Sequence, residues 1–176
     1  MKTIRKCVFE TNSSSTHSIC LATTDDTLPS KFPSELRFTI GEFGWEHAIL
    51  DNAYDKASYL YTSILAICPV LQVNDITAKI TDMLWKHEVK ATFENPEGIN
   101  KPNSYGSSYY DIGYGYVDHA GTDDHEDFIK RVTSNEKRLL RYLFDTASYV
   151  VTGNDNDGSD VRIYATYPHE EFYKGN

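Results

Sequence analysis

Apolar and polar residues alternate in two short stretches near the start of the chain. IRKCVFE (4–10) and HSICLAT (17–23) have the period of two that is typical of β-strands. The six residues between them, TNSSST, carry hydroxyl and amide groups that bond to nearby backbone and favour turns. The pattern therefore predicts two strands joined by a polar turn that ends at His17.

A different period, three and four, begins near residue 48. The apolar residues from 48 to 67 share one helical face, and Pro69 ends that pattern. A second helix is predicted over 75–88, with Asn74 as its N-cap. Both segments are long enough to pack an apolar face on a sheet.

The second half of the chain is predicted to contain two further helices and several strands. DDHEDFIKRV and SNEKRLLRYLFD have helical patterns, and Thr133 with Glu136 is a possible capping box for the latter. Strands are predicted at LRFTI, VKATFE, Tyr109–His119, ASYVVTG and VRIYATY, the last two as a hairpin. This order indicates an α+β fold with three to four helices on a mostly antiparallel, mixed sheet.

Length and composition favour one folded domain, residues 1–176. Hydrophobic residues make up 40% of the chain, as is typical of a globular protein. Three cysteines give no disulfide framework, and no signal-peptide pattern or membrane-length apolar run is present. We therefore expect an intracellular, cytoplasmic protein with free thiols and no membrane contact.

The chain is acidic and rich in tyrosine. Its net charge is −9, from 26 acidic and 17 basic residues, and it has 13 tyrosines. No cluster of Lys and Arg would give the basic face that direct nucleic-acid binding needs. An acidic chain can instead dock on the basic surface of a protein that handles nucleic acid.

The candidate functional residues favour a metal site over a catalytic nucleophile. No P-loop and no G-x-S-x-G motif occurs, which removes the usual phosphate-binding and serine-hydrolase signals. His17, Asp118, His119 and Asp155 each lie where a predicted strand meets a turn. Because imidazole and carboxylate groups from separate loops are common zinc ligands, these four are the predicted ligands of a zinc ion.

Other interpretations of the same residues stay open. Cys7, His17 and Cys20 would supply two thiolates and an imidazole, and His125 with the two aspartates before it is a further candidate set. The region around His17 can also be a simple turn whose hydroxyls satisfy backbone amides. Sequence spacing does not decide among these alternatives.

Three segments together resemble a group of small proteins from phages and mobile elements of Firmicutes. The segments are RKCVFETNSSSTHS, YVDH at Tyr116–His119, and TGNDN at Thr152–Asn156. Acidic phage proteins of this size include anti-CRISPR proteins, several of which inhibit type II-A Cas9, and at least one such inhibitor binds zinc. The resemblance implies that the three distant segments belong to one site, although this chain departs from the familiar opening at Cys7.

The predicted function is therefore that of a non-enzymatic, zinc-containing protein from a phage or prophage. It would inhibit a host defence nuclease, for which Cas9 is the leading candidate, by protein–protein contact. The zinc would have a structural role. The alternative is a metal-dependent hydrolase that uses the same ligands with an open position for water, and Asp123 or Glu126 as base.

Overall fold

The computed structural model describes residues 15–44, 46–104, 106–118, 123–154 and 169–174. Helices and mostly antiparallel strands in small sheets confirm the predicted α+β class. The strands are Ser15–Ala22 (β1), Glu35–Phe38 (β2), Glu42–Phe43 (β3), Ala48–Leu50 (β4), Lys90–Phe93 (β5), Gly98–Ile99 (β6), Tyr110–Asp111 (β7), Tyr116–Val117 (β8), Tyr149–Asn154 (β9) and His169–Lys174 (β10). The helices are Ala53–Ile67 (α1), Val70–Trp85 (α2), Asp123–Val132 (α3) and Glu136–Phe144 (α4).

The strands divide among several sheets instead of forming the single sheet that the sequence predicts. The largest has four antiparallel strands in the order β10-β1-β9-β4. The other described strands form two-stranded pairs, of which β2–β5 and β3–β8 are parallel and β6–β7 is antiparallel. Several of these strands, β3, β6, β7 and β8, have only two residues each.

Helix α1 forms the centre of the protein. Its N-cap Asn52 accepts hydrogen bonds from two backbone amides of the first turn, and the chain turns into Pro69 just after its C-cap Cys68. Every residue from 56 to 65 is buried, as expected for a helix that is covered on all sides. Strand β2 and helices α3 and α4 pack around it. None of the four described helices is long and apolar enough to cross a membrane.

Three predicted helix starts are wrong. Helix α1 begins at Ala53 and not near residue 48, because residues 48–50 form β4 and pair with β9. Helix α2 begins at Val70, directly after Pro69, so Asn74 lies inside the helix and is not its cap. Proline suits this start because it lacks the amide hydrogen that the first turn leaves unbonded. Helix α4 is capped by Asn135, whose side chain accepts a bond from the Arg138 amide, whereas the Thr133 hydroxyl donates to the Ile129 carbonyl.

The tyrosine-rich segment predicted as one strand, Tyr109–His119, is instead two short strands, β7 and β8. Between them Gly113 has a φ of +56°, and its amide donates to the Asp111 carboxylate. This backbone conformation favours glycine and turns the chain. The predicted strands at 4–10 and 161–167 lie outside the described residues. Strand β10 was not predicted from the sequence.

Candidate metal centre

His17 lies in the middle of the four-stranded sheet. It pairs in register with Thr152 of β9 on one side and with Lys174 of β10 on the other. Because side chains alternate along a strand, His17 shares a face with Ile19 and Leu21, which both belong to the hydrophobic core. Its side chain is 0% exposed, so an imidazole is fully buried on the core side of the sheet.

The imidazole is oriented by a tyrosine of the central helix. Its Nδ1 atom lies 2.9 Å from the hydroxyl of Tyr59, and the side chain of Tyr59 is also fully buried. Burial raises the pKa of Tyr59 well above its usual value, so the phenol stays neutral. If the ring N–H donates to this hydroxyl, Nε2 carries the lone pair that a metal ion needs.

Nε2 of His17 and the side chain of Asp118 both lie against Gly44. A Cβ atom built on Gly44 would be 2.7 Å from Nε2 and 2.8 Å from the Asp118 Cβ. Gly44 also has a φ of +115°, a conformation that favours glycine. Asp118 is held in place by its amide, which donates to the Phe43 carbonyl at 2.8 Å. A glycine is thus required where the two predicted ligands meet.

A second buried histidine stands beside this pair. The rings of His125 and His17 have centroids 6.1 Å apart and are nearly perpendicular. Nε2 of His125 is 2.9 Å from the Ser63 hydroxyl, which itself donates to the Tyr59 carbonyl at 2.7 Å. If the serine hydrogen is used in this way, Nε2–H of His125 is the donor, and the ring's lone pair is on Nδ1.

The burial of His125 was not predicted. Its segment resembles the acidic start of a helix, whereas the side chain of His125 is 2% exposed. The available signal was its spacing: Phe128, Ile129 and Val132 follow at three, four and seven residues, and all are buried. That spacing puts His125 on the core face of α3.

The predicted ligands are thus brought together only in part. His17 and Asp118 are neighbours, while His119 and Asp155 lie outside the described residues and remain a prediction. Asn154, the residue before Asp155, pairs in register with Ser15, two residues from His17. Within the described ranges, no three His, Cys, Asp or Glu side chains form a group that could hold a metal ion.

The alternative site on Cys7, His17 and Cys20 does not agree with the structure of β1. His17 and Cys20 are three residues apart in one continuous strand, so their side chains point to opposite faces of the sheet. Cys7 lies outside the described residues. Cys20 and Cys68 are both buried and form no disulfide within the described residues, and burial raises the pKa of the Cys68 thiol to about 11, which disfavours a thiolate there.

A cavity opens beside the His17 centre. It has a volume of about 350 Å³, and its lining includes Glu42, Gly44, Glu46 and Tyr116. Partial burial and the nearby carboxylates, that of Glu42 first, raise the pKa of the Tyr116 phenol. The cavity therefore has a negative potential, which suits a cation or a basic side chain and disfavours an anionic ligand.

Comparison of the chain with protein-family models, with curated proteins and with solved structures finds no match. Function is therefore inferred from side-chain geometry and charge. The centre offers a buried imidazole, a carboxylate and a tyrosine hydrogen bond that orients the ring. This combination can hold a cation or relay a proton, and the complete burial of His17 favours the first role.

Proposed function

We propose that this protein is a non-enzymatic binding protein that inhibits a host nuclease of the Cas9 type in the bacterial cytoplasm. It would dock an acidic face on the basic channel where the nuclease holds nucleic acid. The observation that carries the proposal is a surface on which exposed tyrosines stand among carboxylates. We call it the acidic tyrosine face, and it comprises Glu42, Glu94, Glu97, Tyr114 and Tyr116.

Both tyrosines of this face are accessible to a partner. Tyr114 is 58% exposed and Tyr116 is 36% exposed. Partial desolvation raises the pKa of each phenol, and every charged group that adds to the effect is a carboxylate. Tyrosine gives a large contact area with little loss of side-chain entropy, and it is enriched in protein interfaces.

The backbone of the acidic tyrosine face is held by several hydrogen bonds. Strand β3, which carries Glu42, pairs in parallel with β8, which carries Tyr116. The hydroxyl of Tyr114 donates to the Ile40 carbonyl at 3.2 Å, and the Ile40 amide donates to the Glu94 carboxylate at 3.2 Å. A preformed surface of this kind loses little conformational freedom on binding.

Charge supports a partner that is itself basic. The net charge of −9 would speed association with a positively charged channel and would repel nucleic acid. The resemblance of the opening segment, YVDH and TGNDN to phage proteins supports a host defence nuclease as the owner of that channel. We propose no direct nucleic-acid or membrane contact.

The His17 centre would hold zinc in a structural role. His17 is 0% exposed and lies within a sheet, so a metal bound to Nε2 would be shielded from solvent. A shielded metal favours stabilisation of the fold, whereas the alternative metal-dependent hydrolase needs an open position that water and substrate can reach. Zinc would tie β1 to Asp118 and to the predicted ligands His119 and Asp155.

The test measures binding to purified Cas9 with and without guide RNA, alongside DNA cleavage. We expect binding to weaken at least about tenfold as salt rises from about 50 to about 300 mM, and cleavage to be inhibited. Glu42→Lys with Glu97→Lys should abolish both effects. The matched control, Asp26→Lys with Glu35→Lys, reverses two exposed carboxylates that do not act on either tyrosine, and should lose much less. Equal losses in the two variants, or no binding, would refute the proposal.

A further inference from the structure

The solvent face of α2 carries a stripe with a large apolar side chain at each end. Leu71 is 81% exposed and Trp85 is 68% exposed. Three exposed residues between them, Asp75, Ala78 and Asp82, follow Leu71 at four, seven and eleven residues and therefore lie on the same side of the helix. These five residues are the α2 stripe.

The fold itself does not explain this pattern. The opposite side of α2 supplies the core contacts, through Val73, Ile80, Met83 and Leu84. A solvent-facing helix surface normally carries charged and polar residues, and an exposed tryptophan is costly to solubility. Tryptophan is also the residue type most often found at the energetic centre of protein interfaces.

The charge of the α2 stripe is set by its aspartates. The lysines nearest to it, Lys79 and Lys86, reach towards the start of α4. Lys79 donates to the Ser134 carbonyl at 3.2 Å, and Lys86 pairs with Glu136 at 2.9 Å. Two carboxylates therefore stand between two apolar side chains along one line.

A second copy of this chain is a poor occupant of the α2 stripe. On either side of Ala78 the stripe has an aspartate three or four residues away and an apolar side chain seven residues away, so antiparallel pairing with a second copy would bring Asp75 close to Asp82 twice. Parallel pairing would put each aspartate against its own equivalent. Like charges facing each other across two helices disfavour association, so the stripe discriminates against self-pairing.

We propose that the α2 stripe binds a basic amphipathic helix of another protein. Such a helix would place apolar residues against Leu71 and Trp85, about 21 Å apart along the axis, and Lys or Arg against the two aspartates. This surface is separate from the acidic tyrosine face, and the inference does not depend on the proposed nuclease inhibition. Charge complementarity specifies the occupant, because an acidic or neutral helix would leave Asp75 and Asp82 opposed or without a counter-charge.

The probe is a fluorescent synthetic leucine–lysine helix of about 21 residues with all leucines on one face. Its binding to the full chain is measured by fluorescence anisotropy. We expect a micromolar dissociation constant that rises at least about tenfold for Leu71→Ser with Trp85→Ser, and also for Asp75→Lys with Asp82→Lys. A peptide with glutamate in place of lysine should not bind.

Two control variants separate the α2 stripe from general attraction to an acidic protein. Ile49→Ser with Ile99→Ser removes two other exposed apolar side chains, and Asp26→Lys with Glu35→Lys reverses two exposed carboxylates that lie outside both the α2 stripe and the acidic tyrosine face. Both should keep the wild-type affinity. Because all substituted residues are exposed, unchanged circular dichroism should confirm that each variant folds. Equal affinity for all variants, absence of peptide binding, or equal binding of the glutamate peptide would overturn the inference.

Discussion

Nδ1 of His17 lies 2.9 Å from the hydroxyl of Tyr59, and this contact joins an inner strand of the main sheet to the central helix. Both side chains are 0% exposed. A buried polar contact of this kind fixes the position and the direction of the imidazole, because either group without its partner would be costly in an apolar surrounding. Only the other ring nitrogen, Nε2, faces Gly44 and Asp118.

The first prediction concerns zinc at this imidazole. We expect the purified protein to contain stoichiometric zinc by elemental analysis and to lose stability on chelation. His17→Ala should lose the metal, and Tyr59→Phe should weaken zinc affinity about 10- to 100-fold, because the ring loses the hydrogen bond that orients it. His47→Ala is the control, since His47 is exposed. A metal-free protein whose melting temperature is the same in chelator and in zinc would contradict the prediction.

The second prediction concerns the close approach at Gly44. Gly44→Ala would bring a methyl group within 3 Å of His17 and of Asp118, in a backbone conformation that disfavours alanine. We expect the free energy of unfolding in urea to fall by about 1–3 kcal/mol, with zinc affinity falling as well. Gly98→Ala is the control, because a Cβ there meets nothing within 4 Å. Similar stabilities for the two variants would argue against a crowded site at Gly44.

The third prediction is a pH dependence that comes from Lys56. This residue is 1% exposed, and its ammonium group donates to the carbonyls of Asp145 and Ser148 at 2.8 and 2.7 Å. Burial lowers its pKa from 10.5 to about 8, partly opposed by the negative charges of Asp145 and Asp51. Between those two pH values the unfolded chain keeps the proton and the folded chain loses it, so stability rises with pH.

The expected rise is about 1 kcal/mol between pH 8 and about pH 9, measured by urea unfolding. Lys56→Met should remove this rise, while Lys79→Met, a surface control, should keep it. This rise in stability ends near pH 9. Above that pH the Cys68 thiol ionises in the unfolded chain but not in the folded chain, where its pKa is raised, so its contribution to stability falls with pH and opposes that of Lys56. An equal slope in the Lys56→Met variant and the wild type would show that Lys56 does not cause the dependence.

The fourth prediction concerns the residue after the last turn of α2. Glu88 has a φ of +60°, a left-handed conformation that is unfavourable for a residue with a Cβ. Glu88→Gly should therefore stabilise the protein by about 1 kcal/mol in thermal or urea unfolding. Glu88→Ala removes the same side chain but keeps the unfavourable backbone conformation, and it should give no such gain. Equal effects of both substitutions would point to the glutamate side chain instead.

Elements with a long, regular pattern were predicted well. The strand beginning at His17 corresponds to β1, and the helix predicted over 48–67 corresponds to α1 from Ala53 onwards, while its first residues, 48–50, form the strand β4 instead. The tyrosine-rich segment failed because Gly113 turns the backbone, which overrides the alternation around it. β10 was missed because HEEFYK lacks the alternation of a strand; it is defined by its pairing with β1.

The site was predictable only in outline. His17 and Asp118 both lie where a predicted strand meets a turn, and the structure does make them neighbours at Gly44. Their approach depends on the pairing of β3 with β8, a contact between residues more than 70 positions apart that no local pattern reveals. The role of Tyr59 was not foreseen, because Tyr59 lies opposite the apolar face predicted for this helix, and the pattern does not show that the helix is buried on all sides.

The strand order β10-β1-β9 has a consequence for how this protein folds. β1 comes early in the chain, but both of its neighbours, residues 149–154 and 169–174, come late. During synthesis the backbone hydrogen-bonding groups on both edges of β1 therefore lack these partners until residues 149–174 have left the ribosome. Closing such long loops is slow, and open strand edges attract other chains, so nascent copies should depend on chaperones or low expression to avoid aggregation.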